Sequence, residues 1–322
     1  MTAIKTTSAA ALQAYTEQFS TELFNRAYWG FDAATEALIL EGVKGRITLT
    51  DLEISENIWK RASGDFTPTP NIVNYVPRTL SVVAADADIL IEPYKLASSY
   101  LDVMKKAGQN VGDIPFEGQV MAGLVIAMSK QMSKTFWQGK ETANPQPTDL
   151  LNLLFDGYIE LCKKARTQGA SVVPVPGGAY TKSNVLAHFN SMFEPLGAEA
   201  IQNGVVSYSN RKIMTLYHQA LSEDNKYFRP EVKRNKAGVI EAVEMKDGIG
   251  WLIAKNDYGT SNLVSMTQRN NIVWATDQLA DQTAEFEIKE QIKKVKQMSV
   301  RAMFGMNLRC VDADYMSIND LN

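Results

Sequence analysis

Residues 115–139 read PFEGQVMAGLVIAMSKQMSKTFWQG, and the spacing of their apolar side chains decides how the rest of the chain must be arranged. Met121, Leu124, Val125, Met128, Met132 and Phe136 recur at steps of three and four, which lines them along one face of a helix. Gln119, Ser129, Lys130 and Ser133 fall on the opposite arc. Pro115 suits the first turn and Gly139 a C-terminal cap. At about 1.5 Å per residue the helix runs roughly 35 Å, long for an ordinary domain, so it reads as a strut.

Upstream of the strut, RTLSVVAADADILIEP (Arg78 to Pro93) alternates as a strand, and Tyr94 to Lys106 follows as a helix. Gly42 to Pro77 scatters Ile47, Leu49, Leu52, Ile54 and Ile58 among charges, then places prolines at 68, 70 and 77. These exclude a helix or a central strand and fit a long extended excursion with edge strands, the kind of segment that serves as a lid or binding arm. At the N-terminus, Ala9 to Trp29 is amphipathic, and Asp32 caps a short helix over Ala33–Leu40. The aromatics Phe19, Phe24, Tyr28, Trp29 and Phe31 are too many for a short segment to bury alone; it must dock on this chain or on another copy.

Downstream, ETANPQPTD is a linker, and Thr148 or Asp149 caps a helix over Leu150–Thr167. A strand-loop (169–182), a helix capped by Ser183, the strand VVSYS and a helix capped by Asn210 come next. From Tyr227 strands dominate: Gly238–Met245, Gly248–Ala254, Asn262–Met266, Asn271–Ala275 and much of Glu285–Cys310, where Met298, Val300, Ala302 and Phe304 alternate with polar or flexible neighbours.

The chain of 322 residues is 45% hydrophobic and 21% charged, a globular profile with a sizeable core. A net charge of −3 argues against a protein whose main task is gripping nucleic acid. No signal peptide or membrane-spanning apolar run is read, and Cys162 and Cys310 have no metal or redox spacing; buried free thiols in a reducing compartment are expected. His188 and His218 sit on separate helices without ligand partners at zinc spacing, and phosphate-loop, dinucleotide and nucleophile-elbow signatures are missing. Three weaker features have bland readings. Pro176-Gly177-Gly178-Ala179 reads as a turn rather than an anion cradle. Asp277, Asp281, Glu285 and Glu287 read as a solvated face rather than a cation site. Lys289, Lys293, Lys294 and Lys296 read as a mixed-charge face. A large α+β chain with no active-site constellation and two unsupported extensions fits a subunit of a closed assembly.

In its order of elements the chain resembles the major capsid proteins of tailed bacteriophages, with the Hong Kong 97-type fold also found in encapsulins. Asn271, Ile272, Val273, Thr276 and Asp277 match the family's Asn-apolar-apolar-x-x-Thr-Asp stretch, and Met298–Cys310 its returning strand. The resemblance implies an N-terminal arm (1–40), an extended E-loop (41–85) and a peripheral domain (86–147) with a spine helix at 115–139. An axial domain (148–266) and a return to the peripheral domain with the C-terminal segment (267–322) complete it. It further implies self-assembly through hexamers and pentamers into an icosahedral virion capsid that encloses double-stranded DNA by weak non-specific contact and is assembled in the host cytoplasm. Portal, scaffolding and decoration proteins are the further partners; no long segment precedes the arm, which points to a separate scaffold or to none. No catalytic, cofactor-binding or metal-binding residue, cofactor or membrane is implied. An encapsulin-like compartment, an enzyme with its site around Gly177, Gly178 and the histidines, and a nucleic-acid binder remain the alternatives.

Overall fold

The computed structural model describes residues 35–54, 73–91, 116–143, 150–224, 230–248, 250–277, 287–292 and 295–321. The expected helices over Ala9–Trp29 and Tyr94–Lys106, the first-turn Pro115, the Thr148 or Asp149 cap, and Pro68 and Pro70 lie outside these residues. In chain order the strands are β1 (Leu38–Leu40), β2 (Arg46–Ile54), β3 (Val73–Ser81), β4 (Val83–Ile91), β5 (Ser171–Val173), β6 (Val205–Ser209), β7 (Val232–Arg234), β8 (Ile240–Glu244), β9 (Gly250–Ala254), β10 (Ser265–Gln268), β11 (Ile272–Thr276), β12 (Glu287–Ile292), β13 (Val295–Leu308) and β14 (Met316–Asn319). The helices are α1 (Phe116–Gln138), α2 (Tyr158–Ala165), α3 (Val185–Phe193), α4 (Ala198–Gln202) and α5 (Arg211–Asp224).

The strut is α1. Val125, Met132 and Phe136 are buried, and Leu124 and Met128 half-buried, along the expected face. That face joins one core with Ala85, Ala87 and Ile89 of β4 and Ala302, Phe304 and Met306 of β13, as the period-3.6 pattern requires. Two details differ from expectation. Ser133, assigned to the polar arc, is 7% exposed, because its hydroxyl donates to the Asp257 carboxylate. Gly139 does not take the left-handed backbone of a C-terminal cap; it is a contact glycine, described below.

Five strands form the sheet under α1, ordered β1-β11-β13-β12 with β4 along the other side of β13. Leu38–Leu40 is therefore a strand, not the end of the short helix expected over Ala33–Leu40: it runs parallel to β11, Leu38 opposite Val273. Pairing with a buried strand outweighs the weak local helix preference. The strand expected over Arg78–Pro93 is two strands. At Val82 the chain leaves the ladder, its N–H donating to Gly45 O at 2.8 Å, and the alternation shifts phase, so that Ala85, Ala87 and Ile89 face the core while Ala84, Asp86 and Asp88 face solvent. On that outer face Arg301 grips Asp86 through two hydrogen bonds of 2.6 and 2.9 Å.

A seven-stranded sheet, β5-β14-β10-β6-β9-β8-β7, forms the second body of the fold. One face shares the α1 core through Tyr208, Ile253, Met316 and Ile318; the other is covered by α3 and α5 through Phe189, Met192, Met214, Tyr217, Leu252 and Met266. Asn210 caps α5 as expected, its Oδ1 accepting from Ile213 N at 2.9 Å. Ser183 does not cap α3: the position belongs to Asn184, whose side chain turns back to the preceding loop. The helix expected over Leu150–Thr167 is broken into a short 3-10 turn (Leu151–Leu153) and α2, with Gly157 extended between them.

The third sheet has two strands, β2 and β3, paired antiparallel from Arg46–Ser81 to Ile54–Val73. Pro77 stands opposite Thr50, which a ribbon tolerates because each strand is an edge. This is the extended excursion with edge strands that the prolines demanded.

Candidate functional site

The tightest junction among the described residues lies where α1, the two large sheets and the ribbon converge. The last turn of α1 carries Phe136 and Trp137, exposed 0% and 1%. The Trp137 ring lies 5.2 Å from Tyr208 on β6, 5.5 Å from Tyr158 on α2 and 5.5 Å from Tyr258. Phe136 lies 5.6 Å from Trp274 on β11, which in turn meets Phe155 and Phe304 at 5.5 and 5.8 Å. One helix end thus bolts both sheets together with aromatic edges and faces. Burial pushes the Tyr158, Tyr208 and Tyr258 phenols well above their ordinary range, and Tyr158 OH shares a hydrogen bond of 2.7 Å with Ser265 Oγ. Cys162, also fully buried here, has its thiol pushed up to about 12 by desolvation, so it is an inert packing thiol; Cys310, buried too and in no disulfide, donates its thiol hydrogen to Asp312 at 3.2 Å.

The chain leaves this bolt through Gly139, whose carbonyl accepts from Gly157 N at 2.8 Å. A Cβ on Gly157 would stand 2.5 Å from Gly139 N and 2.6 Å from Thr135 O, and one on Gly139 would meet Thr135 O at 2.7 Å. Only two glycines allow the helix end and the next segment to pass at this distance. Ser133 and Gln138 of α1 both bond Asp257, fixing the helix to the β9–β10 connection.

Asn271, Thr276 and Asp277, the polar members of the resemblance motif, are structural pins. Asn271 is 6% exposed; its amide donates to Thr267 Oγ1 and Cys310 O, both at 2.8 Å, and its Oδ1 accepts from Cys310 N at 2.7 Å. Asp277 accepts from Met303 N at 2.8 Å. Thr276 O accepts from Val43 N at 2.9 Å, where the ribbon begins. A motif recognised by its spacing ties β10, β11, β13 and the ribbon root together.

The root is held further by Leu80, Ile47 and Leu49 against Val273 and Ala275, by Asn307 Nδ2 donating to Thr79 O at 2.8 Å, and by Arg78 donating to Gln168 at 2.6 Å. Beside it lies a cleft of about 260 Å³ lined by Arg78, Asp156, Lys164, Phe155 and Asn307. Burial lowers the Arg78 guanidinium from its ordinary value. At the N-terminal end Glu36, 5% exposed, accepts from Tyr208 OH at 3.1 Å and pairs with Lys255 at 3.1 Å and Arg269 at 3.4 Å. This anchors the entry to β1 on the seven-stranded sheet, and no sequence pattern announces it.

The other sequence candidates do not converge. In Pro176–Gly178 the left-handed Gly177 and Gly178 form a turn clamped by Asn184 Nδ2, which donates to Pro176 O and Ala179 O at 3.0 and 2.8 Å. Asp281, Glu285, Lys293 and Lys294 lie outside the described residues; Lys289 and Lys296 sit on β12 and β13, beside Gln297 and Glu290 respectively in the ladder. Among the described residues no group of His, Cys, Asp and Glu could hold a metal ion, and no helix is long and apolar enough to cross a membrane. His188 is buried on α3 and His218 half-buried on α5.

No sequence-family model matches the chain, and no curated protein is similar to it in sequence. Solved structures are. A chain of the satellite phage P4 procapsid, determined with its size determination (Sid) protein, superposes with a TM-score of 0.55 at 13% identity over 93% of this chain and 98% of that one. The capsid of a native GTA particle gives 0.57 at 10% identity over 89% and 88%. A virus-like particle from Pyrococcus furiosus gives 0.51 at 8% identity over 95% and 99%. Helix, sheets and ribbon therefore make up the α+β phage-capsid fold of the Hong Kong 97 type.

Proposed function

We propose that this chain is a major capsid protein, a structural and non-catalytic subunit that assembles with copies of itself into a closed shell. The observation that carries the reading is the β2–β3 ribbon. Nine paired residues at about 3.3 Å each carry it roughly 30 Å. The apolar side chains known to pack it on its own chain, Ile47, Leu49 and Leu80, sit at the root with Arg78; next along, Thr50 and Pro77 are exposed and Val76 is half-buried. A two-stranded hairpin is marginal in water by itself. Coverage by a neighbouring copy stabilises it and makes the contact repeat around the shell, where weak single contacts sum. The likeness in fold to chains from a procapsid, a capsid and a virus-like particle supports the same reading.

In this proposal residues 1–40 are the arm, 41–85 the E-loop, 86–147 the peripheral domain with α1 as its spine, 148–266 the axial domain and 267–322 the return and C-terminal segment. Hexamers and pentamers close an icosahedral virion capsid around double-stranded DNA, assembled in the host cytoplasm with portal and scaffolding proteins as partners. Sedimentation velocity of the purified full chain tests it: the wild type runs as large particles, and a variant with residues 51–76 replaced by an Asn-Gly turn runs as a folded small species. A wild type that stays monomeric at every concentration overturns the proposal. Nuclease-protected DNA in the particles supports a virion.

A further inference from the structure

The core beneath α3 contains a polar seam that its surroundings leave unsatisfied. His188 is 2% exposed, and neither Nδ1 nor Nε2 has a hydrogen-bond partner among the described residues. The helix packs against β14, whose Met316 and Ile318 turn to the α1 core and whose Ser317 and Asn319 turn to the α3 side. Ser317 Oγ and Asn319 Oδ1 also lack partners among the described residues, as does Ser207 Oγ, reached across Met266 in the ladder β14-β10-β6. Tyr180 closes the group: its ring stands edge-on to His188 at 5.1 Å, and its hydroxyl accepts from Asn319 Nδ2 at 3.0 Å.

Charge around the imidazole is sparse. Asp320, directly after β14, acts on it and is itself committed to Val175 N at 2.9 Å. Tyr180 is a phenol that burial pushes far above its ordinary range. Val185–Phe193 contains no acidic or other basic residue. On α5, packed against α3, Tyr217 meets Phe189 while the charged ends are engaged elsewhere: Arg211 with Asn256, Glu223 with Lys182, Asp224 with Lys246; Lys212 is exposed and His218 half-buried.

We propose that His188 is an acid-operated release for the C-terminal strand: neutral, it lets α3 close over β14; protonated, it drives the two apart. A neutral imidazole without partners is tolerated at the cost of its lost hydration, whereas a proton adds a full charge where Asp320 is the one described counter-charge. The least costly relief is local, because β14 has four residues and is separated from the sheet edge only by the short β5. Burial holds the imidazole below its ordinary value, whereas the opened chain takes the proton near pH 6.5. The closed form is thus fully favoured above that pH and loses ground as pH falls through it. The device belongs to the single folded chain and does not depend on shell assembly.

Hydrogen exchange of the full chain tests it, read as protection factors at about pH 7.5 and about pH 5. In the wild type, peptides covering 185–193 and 316–320 lose roughly tenfold or more in protection on acidification while β8 and β9 do not, and in His188→Met the loss disappears. Equal losses in both proteins, or none in the wild type, overturn the proposal. Should His188→Met misfold, the wild type decides by imidazole NMR: the chain has two histidines, so His218→Gln assigns the signals. A His188 signal titrating below about 6.5 supports the release, and one at or above that value in the folded protein refutes it.

Discussion

Gly157 and Gly139 show how much a single hydrogen atom decides. With a Cβ on Gly157 only 2.5 Å from Gly139 N, Gly157→Ala forces α1 and α2 apart, and about 1–3 kcal/mol of stability is expected to go in urea unfolding of the unassembled chain. Gly123, in the middle of α1, has open space where its Cβ would be, so Gly123→Ala is expected to stabilise by about 0.5–1 kcal/mol in the same assay. Asn271 is the polar counterpart. Removing its amide in Asn271→Ala strands Thr267 Oγ1 and both Cys310 backbone groups, and about 2–4 kcal/mol is the expected loss. Its shape-preserving relative Asn271→Asp keeps the bond from Cys310 N but sets a buried carboxylate oxygen against Cys310 O, so it should lose at least as much as alanine.

At the scale of elements, the ribbon and β13 are in backbone contact: a Cβ on Gly305 would lie 2.2 Å from Ser81 O. Gly305→Ala should therefore loosen the ribbon root before it affects the seven-stranded sheet, seen as faster exchange at Val82 with β6 and β9 unchanged. This element level is also where sequence reading succeeds and fails. The period of 3.6 in α1 and the alternation in β13 are local signals of burial on one face, and Pro77 marks an edge strand; each is legible in the sequence. Leu38–Leu40 and the break at Gly157 were not, because a parallel partner 235 positions away in register, Leu38 with Val273, and a glycine–glycine contact leave no local trace. β14 leaves little trace either: Met316 and Ile318 alternate with Ser317 and Asn319, but four residues are too few for that alternation to stand out. The motif around Asn271 was recognised by resemblance, yet its work, pinning β11 to β13, needed the hydrogen bonds. Glu36 was invisible because Tyr208, Lys255 and Arg269 come from three different segments.

For the whole molecule, α1 is a strut with a defined load. Its aromatic end joins the two large sheets, and its apolar face rests on β4 and β13. Among the described residues, a packed body carrying the β2–β3 ribbon suits the proposed assembly, in which each copy reaches over the next. Electron cryo-microscopy of the purified full-length protein tests that claim most directly. Closed shells in which the β2–β3 ribbon of every copy lies along a neighbouring subunit are expected; particles whose ribbon folds back on its own chain, or a preparation without shells, would contradict the claim.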